Sequence, residues 1–228
     1  MGWKASVIII RPQATVPAKQ LLESLGFTNV VSAEPEPFEI AIYPRDERIF
    51  VGNYRVCTIL SSDTLTMDIF SYADNPLEQK LVTLFPNSEI CAITLHSAMN
   101  LWGYIVIKNG LRIRQRLGDS DGVTILDIGD PLKEEMELLS QSEIGEDGQR
   151  VYHLKRMSSD SLTEDQVGEN FVFELFRRYT GEPLDKNDNL LFETSFEGFN
   201  YEWPAIELST AVQAENKSSG KTHWWKFW

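Results

Sequence analysis

The chain has 228 residues, 42% of them hydrophobic and 11% aromatic, which is enough for a sizeable core in one large domain. Its formal net charge of −13 is uneven: Lys217, Lys221 and Lys226 against Glu215 give the segment after Ala214 a charge of +2, which leaves −15 on residues 1–214. Residues 1–214 carry so much negative charge that they would repel phosphate backbones, which argues against nucleic-acid binding.

Compartment and membrane association are indicated by the cysteines and the apolar runs. Cys57 and Cys91 both lie in strand-like runs, and no secretory signal opens the chain. Val7–Ile10 is a short apolar run, and nothing elsewhere approaches the roughly 20 residues that span a bilayer. We therefore expect a reduced, cytoplasmic protein with no transmembrane helix.

The first 85 residues alternate between strand and helix patterns. We predict a buried strand over Ala5–Arg11, a helix from Val16 to Leu25 ended by Gly26, and a strand over Thr28–Ser32. Short turns separate three further β-type runs, which predicts antiparallel pairing of Phe38–Tyr43, Ile49–Val51 and Tyr54–Leu60. Residues 63–85 are predicted to be helical, with a break at Asn75-Pro76.

The clearest local signal is Asn109-Gly110, because this pair favours the positive φ angles of a type I′ hairpin turn. It predicts a hairpin of Trp102–Lys108 and Leu111–Leu117, preceded by a strand over Glu89–His96. Regular pairing places Val106 opposite Ile113, with Tyr104 facing Gln115 and Trp102 facing Leu117 on the same, better core face. The other face then carries Arg112, Arg114 and Arg116.

The second half holds the strongest helix pattern. Before it we predict a strand over Val123–Ile128, an acidic helix over Pro131–Leu139 and a polar loop over Glu143–Gln149. Thr163–Tyr179 repeats apolar residues four apart, and Thr163-x-x-Gln166 and Ser161-x-x-Glu164 are both candidate capping boxes. Gly181 is predicted to end this helix.

Arg112, Arg114 and Arg116 have two interpretations. Three guanidinium groups at alternate positions could grip a phosphate, a carboxylate or an acidic peptide. Alternatively, they pair with the surplus Asp and Glu residues of an overlying helix, or line a solvated sheet face.

A second group of candidates surrounds His96, which is followed by Ser97, Asn100 and Trp102. A histidine beside a serine suggests acyl chemistry, but adjacent strand residues point to opposite faces unless the strand ends there. A packed, structural histidine is the alternative.

The loop Gly118–Gly122 places Asp119 and Asp121 one residue apart, which would suit Ca²⁺ or Mg²⁺ or an ordinary turn. It lacks the further acidic positions of an EF-hand, and the chain has no complete nucleotide, hydrolase or zincin motif. We therefore predict no cofactor.

The sequence ends in a cluster of aromatic and basic residues after a polar stretch, which is typical of a docking segment. The cluster consists of Trp224, Trp225, Lys226, Phe227 and Trp228. Tryptophan and lysine together suit a membrane interface, and they also suit a groove on a partner protein.

Several segments resemble a family of uncharacterised bacterial proteins. The resemblance lies in His96-Ser-Ala-Met-Asn-Leu-Trp102, Asn109-Gly-Leu-Arg-Ile-Arg114, Asp121-Gly122 and Asp127-Ile-Gly-Asp-Pro-Leu132, and in the opening Met1-Gly-Trp-Lys4. It covers residues 1–12 and 90–180. The resemblance implies no activity, but it draws attention to His96, Ser97, Asn100, Trp102, Asp121, Gly129 and Pro131.

Together these patterns predict a single α+β domain over residues 1–211, followed by a flexible tail over 212–228. We expect an antiparallel or mixed sheet with helices mainly on one face. The leading hypothesis is a non-enzymatic binding protein whose acidic surface meets a basic protein partner, with the tail adding contact to that partner or to a membrane. The alternative is an enzyme, or a small-ligand or metal-binding protein, with a site near His96 and Asp119/Asp121.

Overall fold

The chain folds around one large sheet in the computed structural model, which describes residues 2–44, 48–62, 65–71, 75–120, 124–146, 148–154 and 161–202. The strands of both sheets are, in chain order, β1 (Lys4–Arg11), β2 (Thr28–Pro37), β3 (Arg48–Tyr54), β4 (Cys57–Ser61), β5 (Glu89–His96), β6 (Leu101–Lys108), β7 (Leu111–Gly118), β8 (Thr124–Ile128), β9 (Ser142–Ile144), β10 (Arg150–Tyr152), β11 (Leu162–Thr163) and β12 (Ser195–Glu202). Nine of them form an antiparallel sheet in the order β2-β12-β3-β4-β1-β5-β6-β7-β8, and β9 to β11 form a small second sheet.

Helices cover both faces of the large sheet. They are α1 (Ala18–Leu25), α2 (Phe38–Ala41), α3 (Leu65–Ser71), α4 (Pro76–Leu84), α5 (Lys133–Leu139), α6 (Glu164–Thr180) and α7 (Asp188–Glu193). Val7 and Ile9 of β1 pack in one apolar cluster with α2, α6 and α7, whereas Ile8 and Ile10 pack in the other with α1, α3 and α4. The single α+β domain with a large antiparallel sheet is confirmed. The helices divide between both faces rather than lying mainly on one as predicted, because the central strands are apolar on both sides.

Among the boundaries that differ from the prediction, two change the type of element. Residues 38–41 form helix α2 rather than a strand, since Phe38, Ala41 and Ile42 lie three to four residues apart and are all buried. The predicted polar loop after Glu143 begins within β9, which pairs with β10 in the small sheet. In both places a short element is held by its tertiary contacts more than by a long local pattern.

Helix ends follow the sequence signals closely. Asn75 caps α4 by accepting hydrogen bonds from the backbone N–H groups of Leu77 and Glu78, so the predicted break at Asn75-Pro76 is confirmed. At the start of α6 the Gln166 side chain accepts a hydrogen bond of 2.9 Å from the Thr163 backbone N–H, and Gly181 ends this helix with a φ of 86°. In the described ranges, none of the helices combines the length and the apolar character needed to cross a bilayer.

The β6–β7 hairpin contains a bulge that the sequence did not reveal. Asn109 and Gly110 have φ angles of 51° and 79°, as a type I′ turn requires, and Lys108 pairs with Leu111. Beyond Ile107–Arg112, however, Val106 pairs with Arg114, so Ile113 has no partner in the ladder.

This bulge corrects both the predicted register and the predicted arginine stripe. Tyr104 lies opposite Arg116 rather than Gln115, and Trp102 lies opposite Gly118 rather than Leu117. Because one extra residue reverses the alternation of side chains, Arg114 and Arg116 lie on the face covered by α5 and α6. Arg112 lies on the opposite face, near α4.

Candidate functional site

Arg114 and Arg116 are buried in the core with acidic partners. Arg114 is 2% exposed and binds Glu135 through two hydrogen bonds of 2.8 and 2.7 Å. Its remaining donors contact the Asp127 carboxylate at 2.6 Å and the Gly129 carbonyl at 2.7 Å. Burial opposes the charge on Arg114, but Glu135 outweighs this and raises the pKa of the guanidinium above its ordinary value.

Arg116 is fully buried beside aromatic rings. It forms an ion pair with Glu164 in the first turn of α6, and its guanidinium carbon lies 4.3 Å from the centre of the Phe171 ring and 5.1 Å from that of Trp102. Glu164 and Phe171 thus fix Arg116 between the helix and the sheet. A residue predicted to bind ligand thereby joins the two layers of the core.

Arg112 is held in the same way on the opposite face. Its guanidinium contacts both oxygens of Glu78 on α4, with Nε 2.9 Å from each, and also reaches the Ile69 carbonyl at 3.1 Å. All three arginines therefore occupy the positions expected if they pair with carboxylates of overlying helices.

A further ion cluster joins β1, β5 and the end of α6. Arg178 contacts Glu89 at 2.6 and 3.0 Å, and Arg11 contacts the same carboxylate at 3.2 Å. Burial opposes ionisation of Glu89, but Arg178 and Arg11 outweigh it and lower the pKa of this carboxyl. Nearby, burial raises the pKa of the Cys57 thiol to about 11, so this cysteine stays protonated and structural.

A small cleft opens where the turn after β5 meets the first half of α6. Its volume is about 100 Å³, and two leucines complete a lining made of Ser97, Asn100, Trp102, Asp165, Gln166 and Glu169. β5 ends at His96, Ser97–Met99 form a 3₁₀ turn, and Asn100 follows in the left-handed conformation with a φ of 49°. This turn brings Ser97 and Asn100 against the helix.

Two carboxylates dominate the chemistry of the cleft. Asp165 accepts a hydrogen bond of 2.9 Å from the Asn100 amide, and Glu169 accepts one from the Ser97 hydroxyl, which itself accepts from the Trp3 backbone N–H at 3.0 Å. Neither carboxylate forms an ion pair with any residue that the structure describes. Like charges four residues apart on a helix destabilise it by about 0.2–0.5 kcal/mol, which a bound cation would relieve.

Trp102 lies beneath the cleft and is 1% exposed. Its ring stacks on Phe171 with the centroids 5.6 Å apart, and its pyrrole edge fits where Gly118 and Gly168 have no side chains. Within the described ranges the indole N–H has no hydrogen-bond partner. A buried donor without an acceptor is costly, so an acceptor entering this region would be stabilised.

The other predicted site residues lie apart from the cleft. His96 is the last residue of β5 and does not line the cleft. Its ring meets Tyr43 edge-on at 6.4 Å, and burial together with the Lys4 charge lowers the pKa of its imidazole. The contact with Tyr43 and the lowered pKa are what a packed, structural histidine would show.

The predicted metal loop is only partly described. Asp119 is half-buried just after β7 and does not line the cleft, whereas Asp121 lies outside the described residues. The described ranges contain no group of three or more His, Cys, Asp or Glu side chains placed to hold a metal ion. The tail residues Trp224 to Trp228 and the domain boundary near 211 also lie outside the described residues.

Sequence reasoning missed the helical half of the cleft. Asp165, Gln166 and Glu169 were interpreted only as part of the helix start, although Asp165 and Glu169 are spaced to share one helix face. The available signal was this i, i+4 acidic pair without a basic residue among its immediate neighbours. Nothing local connects it to Asn100, which is 65 residues earlier.

A second acidic feature surrounds the edge strand β2. Glu34 and Glu36 lie on β2, Glu39 on α2, Glu193 on α7, and Glu197 on the neighbouring β12. We call these five residues the acidic edge. All but Glu36 are exposed, and none forms an ion pair with a described residue.

These features define a single-domain α+β protein whose antiparallel sheet is covered on both faces and whose cleft is lined by carboxylates. The chain belongs to a family of unknown function, DUF6928, whose family model matches residues 11–149, more than half of the chain. An uncharacterised family is thus confirmed. The match includes the β6–β7 hairpin and Asp127–Leu132, while Met1–Lys4 and the cleft's helix α6 lie outside it. No curated protein and no solved structure matches the chain.

Proposed function

We propose that this is a non-enzymatic protein of the bacterial cytoplasm that binds a basic protein partner through its acidic surface. The observation that carries the proposal is the acidic edge, five carboxylates around one end of the sheet without a described ion-pair partner. Opposite charge on a partner would complement this surface and speed association.

The internal ion clusters strengthen the argument. Five arginines (Arg11, Arg112, Arg114, Arg116 and Arg178) pair inside the fold with six carboxylates (Glu78, Glu89, Asp127, Glu134, Glu135 and Glu164). Of the chain's 21 Lys and Arg and 34 Asp and Glu residues, 16 and 28 remain outside these clusters. The charge outside these clusters is therefore −12 of the chain's −13, so nearly the whole acidic excess remains to attract a partner.

The test compares two variants of equal charge. One carries Glu34→Gln, Glu39→Gln and Glu193→Gln in the acidic edge, and the control carries Glu137→Gln, Glu146→Gln and Glu182→Gln at exposed positions elsewhere. A protein captured from native lysate by the intact chain is purified, and its Kd for each variant is measured at low and high salt. We expect a basic partner whose Kd rises about tenfold for the edge variant and less than twofold for the control.

The proposal fails if the captured proteins are neutral or acidic, or if both variants bind equally well. We further propose that Trp224 to Trp228 add a second contact, to the partner or peripherally to a membrane. A chain ending at Gly220 should then recover less partner, or less anionic liposome, than the intact chain. Equal recovery in both assays would remove the tail from the function.

A further inference from the structure

We infer that the cleft between Ser97–Asn100 and α6 binds a small ligand in which two adjacent carbon atoms carry a primary ammonium group and an oxygen acceptor. This inference does not depend on the acidic edge. It draws on three features of the cleft, namely its two carboxylates, its buried indole donor and its volume.

The carboxylates supply the site for positive charge. Asp165 and Glu169 are half-buried and are oriented by neutral donors, the Asn100 amide and the Ser97 hydroxyl. These donors fix the carboxylates without neutralising them, and no described cation does so either. An ammonium group has three donors and matches two such acceptors.

Trp102 distinguishes an organic cation from a metal ion. Trp102 lines the same cleft, and its indole N–H is buried near Gly118 and Gly168 without an acceptor among the described residues. The positive end of an N–H dipole disfavours a bare cation beside it, but it favours an oxygen atom. A ligand that carries both a cationic nitrogen and a nearby oxygen satisfies the carboxylates and the indole together.

The size of the cleft limits the ligand. About 100 Å³ accommodates only a few heavy atoms, so the recognised unit is small. An α-ammonium group with its adjacent carbonyl fits this description, whether it belongs to a free amino-acid derivative or to the amino terminus of a peptide. Both sources share the same chemistry, and the experiment separates them.

The experiment follows the indole N–H resonance of Trp102 by NMR in the full chain, with the signal assigned by its loss in Trp102→Phe. The probes are glycinamide, acetamide, methylammonium, Ca²⁺, Mg²⁺, and a tripeptide amide with a free or an acetylated amino terminus. We expect glycinamide to give a saturable shift, with acetamide and methylammonium at least about tenfold weaker, because each lacks one of the two groups. A shift by the free tripeptide but not by its acetylated form would extend the ligand to a peptide terminus; glycinamide alone would assign it to a free small molecule.

Variants inside and outside the cleft test whether glycinamide binds at the cleft carboxylates. Asp165→Asn and Glu169→Gln preserve shape and should each raise the Kd for glycinamide by about tenfold, whereas Glu174→Gln removes a charge from α6 outside the cleft and should leave it unchanged. Thermal melts of each variant confirm folding. The inference is overturned if no amine gives a saturable shift, if Ca²⁺ or Mg²⁺ alone does so, or if Glu174→Gln weakens binding as much as Glu169→Gln.

Discussion

Arg114 on β7 and Glu135 on α5 face each other in a two-point ion pair, each with about 2% of its surface exposed. The same Glu135 carboxylate accepts the backbone N–H of Leu132 at 3.2 Å, so it also caps the helix that carries it. One carboxylate therefore sets the start of α5 and its position on the sheet.

Removing one member of this pair should be costly. Arg114→Met leaves the buried Glu135 carboxylate with Arg116, 3.6 Å away, as its remaining ion-pair partner, and we expect it to lower the free energy of unfolding by about 1.5–3 kcal/mol. Arg114→Met combined with Glu135→Leu should recover a large part of that loss, because it leaves no unpaired charge. Urea denaturation measures both variants. A single variant that costs less than about 1 kcal/mol would show that water reaches the pair.

Glu89 should make stability depend on pH in the acid range. Its folded pKa lies below the ordinary value of 4.5, so its contribution is present above about pH 4.5 and is lost as the pH falls through the folded pKa. Glu89→Gln removes this contribution. We expect the variant to be less stable than the natural chain near pH 6, with the difference narrowing towards about pH 3. A constant difference across this range, measured by urea denaturation, would contradict the prediction.

Replacing Gly168 by alanine should destabilise the protein, although this replacement usually stabilises a helix. Alanine in place of glycine within an exposed helix adds about 1 kcal/mol of stability. A Cβ atom at Gly168 would lie only 2.0–2.3 Å from atoms of the Trp102 ring, so we expect Gly168→Ala to lower stability by about 1–3 kcal/mol. In a Trp102→Leu background this cost should largely disappear. A stabilising effect of Gly168→Ala in the natural chain would show that the two elements do not pack this closely.

The bulge in β7 predicts opposite outcomes for two deletions. Removing Ile113 restores a regular ladder and keeps Arg114 and Arg116 opposite Val106 and Tyr104, so the ion pairs should survive at a cost of about 1–3 kcal/mol for lost packing. Removing Gln115 turns Arg116 to the other face, or turns Arg114 if the bulge at Ile113 closes, and so leaves Glu164 or Glu135 without that arginine. We expect this second variant not to fold cooperatively, as judged by thermal denaturation and near-UV circular dichroism. Equal stability of the two deletions would mean that β7 can shift its register freely.

Local patterns predicted most of the fold, and the failures have identifiable causes. The Asn109-Gly110 turn, the cap at Asn75 and the ends of α6 follow from residue types that favour one backbone conformation. The bulge at Ile113 did not, because the residues on either side of it suit both registers and burial of the arginines depends on Glu135 and Glu164 from later elements. For the same reason, Asn100 and Trp102 were identified as candidates without their neighbours on α6.

The position of β12 between β2 and β3 affects how the protein is assembled during synthesis. Among the strands that the structure describes, β2 pairs only with β12, and β3 has only β4 beside it until residues 195–202 have been made. β2 and β3 are therefore synthesised long before β12, which pairs with both. Until β12 is made, their exposed edges can pair with other chains. The prolines at positions 35 and 37 lack backbone donors and would limit such pairing along the far end of β2. A polypeptide ending at residue 149, where the family match stops, would lack both β12 and α6 and should be prone to aggregation.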